Sequence, residues 1–247
     1  MIRLDQALVE RGLCDSREKA KRAILAGQVR VNAQPARKAS DSIKAGDTLS
    51  LDVPEKFVSR GGHKLEHALL HFRLDVAGLT TLDLGASTGG FTDCLLQHGA
   101  AKVFAVDVGQ GQLAWKLRGD PRVVVMEKTN ARHLTIGQMP QPFTPADLAV
   151  IDCSFISLKK ILPTAIALLK TDGKIVALVK PQFEAGKTEV DKGRGVISDP
   201  AIHERVLKEL EAFVATQNNL VWRGMTESPL LGPAGNKEFL ALIEKTS

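Results

Sequence analysis

Apolar positions along the chain follow two rhythms, and the change falls near residue 60. Before it, Leu4, Ala7, Leu8 and Leu13 recur at helical spacing with Gly12 as a stop. Asp15 or Ser16 can cap a second helix striped by Ala20, Ala23, Ile24 and Leu25 and ended by Gly27. Val29-Arg30-Val31-Asn32 and Thr48-Leu49-Ser50-Leu51 alternate as strands, with turn residues at Ile43–Asp47 between them. Residues 53–62 read as a linker because they hold a proline and paired glycines.

After residue 80, short apolar runs alternate with helical stretches. Strands are expected at Thr80–Leu84, Val103–Val108, Val123–Met126, Leu148–Asp152 and Lys174–Val179. Leu220–Gly224 and Phe239–Ile243 are expected to close the set as an antiparallel hairpin. Helices are expected at Gly89–Gln97, Ser157–Leu169 and Ile202–Thr216. This order predicts an α/β fold: a Rossmann-like, mostly parallel seven-stranded sheet behind a small α+β domain. The expected division is residues 1–58, including the linker, and residues 59–247.

Charge sharpens that division. Residues 1–60 hold 12 Lys/Arg against 8 Asp/Glu, whereas residues 61–247 hold 21 against 20, so nearly all of the net +5 lies in the first segment. Such a segment suits an anionic partner. Aromatic residues are 4% of the chain and tyrosine is absent, which disfavours a recognition surface built mainly on stacked rings. Three widely spaced cysteines, Cys14, Cys94 and Cys153, form neither a disulfide framework nor a zinc knuckle. With neither a secretory signal nor a membrane-length apolar run, the expectation is a soluble, cytoplasmic protein without a membrane partner.

Arg3-Leu4-Asp5, Gly12, Ser16-Arg17, Ala20, Ile24, Gly27, Val29 and Val31-Asn32 resemble the alpha-L RNA-binding module. The likeness implies that Arg3, Arg17, Lys21, Arg22 and Lys38 grip RNA phosphates. Taken without the motif, the same charges read as a solvated helix face.

Candidate chemistry gathers at the expected strand ends. Leu82-Asp83-Leu84-Gly85-Ala86-Ser87-Thr88-Gly89-Gly90-Phe91 is a glycine-rich strand-to-helix turn, without the dinucleotide G-x-G-x-x-G spacing or a P-loop lysine. Asp107, 22 residues beyond Gly85, can accept the hydroxyls of an adenosine ribose, and Glu127–Asn130 can read an adenine edge. Asp83, Gly85, Ser87, Gly89, Gly90, Phe91, Asp107 and Asn130 are therefore the cofactor-site candidates. Any one of the acids can instead be a helix cap; three polar strand tips at one sheet edge favour a nucleoside cofactor.

Asp152 and Lys180 end two further strands, Lys64 lies on a helix before the first, and Glu238 opens the last. Singly these are ordinary charges; together they resemble the lysine-aspartate-lysine-glutamate set of ribose 2′-O-methyltransferases. Ser59–Lys64, Gly85–Phe91, Gly111–Trp115, Asp152–Leu158, Lys180–Gly186 and Ser228–Glu238 resemble the TlyA, or haemolysin-like, rRNA methyltransferase family across essentially the whole chain. That resemblance implies S-adenosylmethionine-dependent 2′-O-methylation of a cytidine in ribosomal RNA within a ribosomal subunit. Members of the family modify large-subunit RNA alone or both subunits, and the short stretch before Arg3 resembles the former, so large-subunit RNA is favoured with small-subunit RNA the alternative; no obligate protein partner is expected.

Lys180 is the candidate base. A free lysine, with pKa about 10.4, is protonated at neutral pH. A nearby Lys64 ammonium and a sulfonium would favour its neutral form, while Asp152 and Glu238 would oppose them. If the carboxylates prevail, Lys180 stays charged and stabilises the developing alkoxide. Asp152 then orients Lys180, and Lys64 with Glu238 fixes the ribose. His63, His67 and His71 recur every four residues but lack accompanying acids or cysteines, so a packed or solvated helix face is expected and no metal site. Cys153 reads as a small packing residue. The competing classes are a non-catalytic ribosome-assembly factor, an NAD-dependent oxidoreductase and a membrane-active haemolysin; the four-residue set, the glycine spacing and the absent span disfavour them in turn.

Overall fold

The computed structural model describes residues 1–52, 55–217 and 219–246, so part of the expected linker, Val53 and Pro54, lies outside the described residues. The chain forms two compact units, Met1–Lys56 and Phe57–Ser247.

In the first unit, helices Leu4–Glu10 and Arg17–Leu25 pack through Leu4, Ala7, Leu8, Ala20, Ala23 and Ile24 onto Val29 and Ile43. Ser16, the better placed of the two cap candidates, accepts a hydrogen bond from the Lys19 N–H. Gly12 and Gly27 both take the left-handed conformation beyond the helix ends, at φ 70° and 71°. Val29–Val31 pairs antiparallel with both Gln34–Pro35 and Leu49–Leu51. A further short pair, Ile2–Arg3 with Ser42–Ile43, was not anticipated.

The second unit is built on one seven-stranded sheet. Its strands are β1 Thr80–Leu84, β2 Lys102–Val106, β3 Val123–Met126, β4 Ala146–Ile151, β5 Leu169–Val179, β6 Leu220–Glu227 and β7 Phe239–Lys245. Their spatial order is β6-β7-β5-β4-β1-β2-β3, parallel except for β7, which runs antiparallel to both β5 and β6. Strand alternation feeds two cores. Ile175, Ala177 and Val179 of β5 face one with Val206, Leu210 and Val214 of helix Pro200–Ala215. Val176 and Leu178 face the other with helices Gly61–His71 and Gly90–Gln97.

Two expectations change. Gly61 and Gly62 begin a helix, and Phe57 is buried, so the end of the expected linker belongs to this core. A Cβ on Gly62 would overlap the Phe57 ring, which explains a glycine inside that helix. The single helix expected over 157–169 is a short 3₁₀ turn, Leu158–Lys160, followed by helix Leu162–Leu168, which carries Pro163 in its first turn.

The chain leaves β1 for β2 and β3 on one side and returns to β4 on the other. A crevice therefore opens between β1 and β4 at their C-terminal ends.

Candidate active site

All four members of the charged set line one cavity of about 280 Å³ at that switch point. Lys64 comes from helix Gly61–His71, Asp152 and Lys180 directly follow β4 and β5, and Glu238 directly precedes β7. They form two pairs. Lys64 donates to Glu238, and both are almost wholly buried, at 4% and 1% exposure. Lys180 Nζ lies 2.6 Å from Asp152 Oδ1 and donates to Ser154 Oγ at 2.8 Å. Asp152 Oδ1 makes no aligned hydrogen bond, so that contact is a close charge pair.

A second cavity, about 500 Å³, shares Gly85, Ser87, Asp152 and Ser154 with the first and extends over the β2 and β3 tips. Asp107 terminates β2 because its carboxylate accepts from Ser87 N at 2.8 Å and Gly109 N at 2.7 Å. Those bonds fix the carboxylate at the cavity wall, where it could also accept from a ribose diol. Asn130, Thr129 and Gln112 supply further polar edges, and Val108, Ile156 and Ile161 supply apolar wall. The lining thus fits a nucleoside: one fixed acid, amide edges and a flat apolar surface. Gly85 is required by geometry, since φ is +93° and a Cβ would lie 2.8 Å from the Asp152 carbonyl oxygen.

Two cofactor candidates line neither cavity. Asp83 is fully buried beneath the loop, accepting from the Thr92 hydroxyl at 2.6 Å; burial pushes its carboxyl up to about 7. Gly89 turns at φ +94° against Leu117 and Leu113, so a side chain there would strike those leucines. Gly90 and Phe91 line the smaller cavity. Glu127 is used internally, paired with Arg118, so the β3 tip offers Asn130 in its place.

A third cavity, about 650 Å³, opens from the same Lys180 and Glu238 and is walled by Phe155, Phe183, Val190 and Pro233. The Phe155 and Phe183 rings are 5.1 Å apart. Phe155 is 90% exposed and holds φ 63°, a conformation unfavourable for a bulky side chain. Phe155, Ser154, Gln112 and Thr88 all fall inside segments that carry the family resemblance, but no residue-level signal singled them out as site residues. Helices Pro181–Glu184 and Lys187–Lys192 carry Gln182, Phe183 and Val190 of that wall. Glu184 anchors it by accepting from the Ser157 hydroxyl and Leu158 N, with its carboxyl raised by burial.

Cys153 borders the nucleoside cavity and contacts the core; burial, then Asp152, pushes its thiol up to about 12, so it is a neutral packing group. His63 meets Phe57 edge-on, while His67 bonds Thr226 Oγ1 and stacks on His71. In the first unit, Arg3 and Arg17 both bond the buried Asp5, whose carboxyl is held at about 2 by Arg3, with Arg17 adding to it and burial opposing. Lys21 lies 3.8 Å from Glu18, and Arg22 and Lys38 are exposed.

A doubly wound sheet with β7 inserted antiparallel, a nucleoside-shaped crevice and an adjoining lysine-carboxylate cavity define a Rossmann-like methyltransferase. The FtsJ-like methyltransferase family model matches residues 57–245, and the S4 domain model matches residues 2–49. YqxC of Bacillus subtilis (strain 168) is 50% identical over 96% of this chain and 84% of its own length. The 16S/23S rRNA (cytidine-2'-O)-methyltransferase TlyA of Mycobacterium tuberculosis (strain ATCC 25618 / H37Rv) is 48% identical over 96% of this chain and 87% of its own. A solved structure of a hemolysin-named protein from Streptococcus thermophilus has TM-score 0.75 and 45% identity, covering 99% of this chain and 88% of that one. The chain belongs to the TlyA family of FtsJ-like methyltransferases. Among the described residues, no helix is long and apolar enough to cross a membrane.

Proposed function

We propose that this protein transfers a methyl group from S-adenosylmethionine to the ribose 2′-hydroxyl of a cytidine in ribosomal RNA, with large-subunit RNA the favoured substrate. The observation that carries it is the convergence of Lys64, Asp152, Lys180 and Glu238 on one cavity that joins a nucleoside crevice to an aromatic-walled slot. Gly85, Ser87, Asp107 and Asn130 would hold the cofactor, whose sulfonium-borne methyl group is already activated toward a nucleophile. Asp83 and Gly89 would support that site from beneath.

Alignment of the acceptor oxygen is then the protein's main task. Lys180 Nζ, held by Asp152 and Ser154, is placed to contact the 2′-oxygen. It either takes the hydroxyl proton or donates to the developing alkoxide. The Lys64–Glu238 pair supports the opposite side of the ribose, and the target base enters the slot between Phe155 and Pro233. Residues 1–58 would grip RNA through Arg3, Arg17, Lys21, Arg22 and Lys38 and residues 59–247 would carry the chemistry, in the cytoplasm where ribosomal particles reside.

The test is incubation with labelled S-adenosylmethionine and unmodified 30S and 50S particles, followed by mapping of the methylated nucleotide. A Lys180→Ala variant is expected to lose single-turnover methylation by at least about a hundredfold. Methylation at the unaltered rate would exclude an essential role for Lys180, and no methyl transfer by the parent protein would favour a non-catalytic assembly factor.

A further inference from the structure

Three buried side-chain oxygens among the described residues have no hydrogen-bond partner: Asp83 Oδ1, Asp152 Oδ1 and Gln182 Oε1. Asp83 has a carboxyl that burial favours in its neutral form, and Asp152 Oδ1 faces the Lys180 ammonium. Gln182 Oε1 has no such account. A buried acceptor without a donor is costly, and a turn of the terminal amide toward the slot would let a bound base supply the donor.

Gln182 lines the slot and stands two residues beyond Lys180, on the short helix Pro181–Glu184 that follows β5. The slot's other carboxamide is committed: Asn236 accepts from Ile197 N at 2.8 Å and donates to Gly195 O at 2.9 Å. The remaining wall is largely apolar or aromatic, with Lys180 and Glu238 shared with the catalytic cavity. In a ribonucleotide the base is attached to C1′, next to the C2′ that bears the reacting oxygen. A ribose at Lys180 therefore directs its base into an adjoining space, and the crevice on the other side is taken by the methyl donor.

We infer that Gln182 is a specificity-determining residue whose Oε1 accepts a hydrogen bond from the exocyclic amino group of the target cytosine. This rests on the methyltransferase reading above and deepens it. Cytosine carries an N–H donor at C4, whereas uracil presents an oxygen there. A pyrimidine slot with a buried carbonyl at that edge favours cytosine and leaves two acceptors opposed when uracil enters.

The experiment compares 50S particles reconstituted with cytidine or uridine at the mapped target nucleotide, using labelled S-adenosylmethionine. The parent protein is expected to favour cytidine in kcat/KM by about tenfold or more. Gln182→Met, which retains bulk without an acceptor, is expected to lower cytidine methylation and bring the ratio below about threefold. Unaltered S-adenosylmethionine affinity by calorimetry would show that its cofactor crevice is intact. Phe183→Leu is expected to slow both substrates and leave the ratio unchanged. A parental ratio in Gln182→Met, or a parental preference for uridine with the amide reversed, overturns the assignment of Gln182. Failure of the parent protein to methylate either particle overturns the activity on which it rests.

Discussion

Replacing Lys64 by Met would leave the Glu238 carboxylate in the protein interior without its partner. Exposures of 4% and 1% leave little room for water to compensate either charge. Removal of one member of such a pair costs about 3–5 kcal/mol, whereas removal of both in favour of apolar groups is often neutral or stabilising. Lys64→Met and Glu238→Leu are each expected to destabilise the second unit by about 3–5 kcal/mol, and the double variant to regain most of that loss. Urea denaturation followed by tryptophan fluorescence reads this unit selectively, because both tryptophans, Trp115 and Trp222, lie within it. The exposed pair Lys208–Glu204, at 71% and 68%, is the control: Lys208→Ala is expected to leave the urea midpoint almost unchanged. Two single variants that each cost under about 1 kcal/mol, with an additive double variant, would refute the buried-pair argument. The double variant should fold yet lack methylation, separating the pair's contribution to stability from its contribution to the reaction.

Asp83 should leave a pH signature. Its carboxyl is raised to about 7 by burial, so between about pH 4 and 7 the unfolded chain has released a proton that the folded chain retains. Stability should therefore fall as pH rises through that window and level off above it; Asp83→Asn should remove this component, as measured by the difference in urea midpoints across pH. Ser154→Ala removes the 2.8 Å contact to Lys180 Nζ and should lower kcat about tenfold and alter the pH–rate profile. Restoration by Ser154→Thr would support a positioning role, whereas an unchanged kcat and profile in Ser154→Ala would exclude it.

Much of the fold was legible because the central strands of the second unit, β1, β2 and β4, are buried on both faces and read as apolar runs. Thr80–Leu84 and Val123–Met126 fall where the apolar runs place them. β2 stops at Val106, short of the expected Val108, because Asp107 turns to bind Ser87 and Gly109. β5 begins at Leu169, before the expected Lys174, and carries an irregularity across the Asp172-Gly173 turn that hydropathy cannot register. In the site, each acid and lysine at a strand end had an ordinary explanation alone, and the four stood out only as an ordered set that resembles that of ribose 2′-O-methyltransferases. The grouping of Asp152 with Lys180 and of Lys64 with Glu238 followed from the resemblance; the direct Lys64–Glu238 hydrogen bond, between residues 174 apart, is set by the sheet order. Phe155 was concealed for the opposite reason: a phenylalanine is ordinarily a core residue, and nothing in the sequence marks this ring as exposed.

The first unit makes the charge argument testable against its simplest form. Asp5 is fully buried and accepts from Arg3 at 3.0 and 3.2 Å and from Arg17 at 3.0 Å, so two of the candidate RNA-gripping cations are oriented by one anion. Its carboxyl lies near 2, below the ordinary 3.8, so the stabilisation is present above about pH 4 and lost as pH falls through about 2. Asp5→Asn raises the net charge from +5 to +6, and a surface acting by charge alone would bind RNA more tightly. If Asp5 instead sets the direction of the guanidinium groups, affinity for unmodified 50S particles should fall by roughly threefold to tenfold despite the added positive charge. Filter binding over a salt series separates the two: tighter binding with a steeper salt slope would refute orientation by Asp5, and weaker binding with a shallower slope would support it.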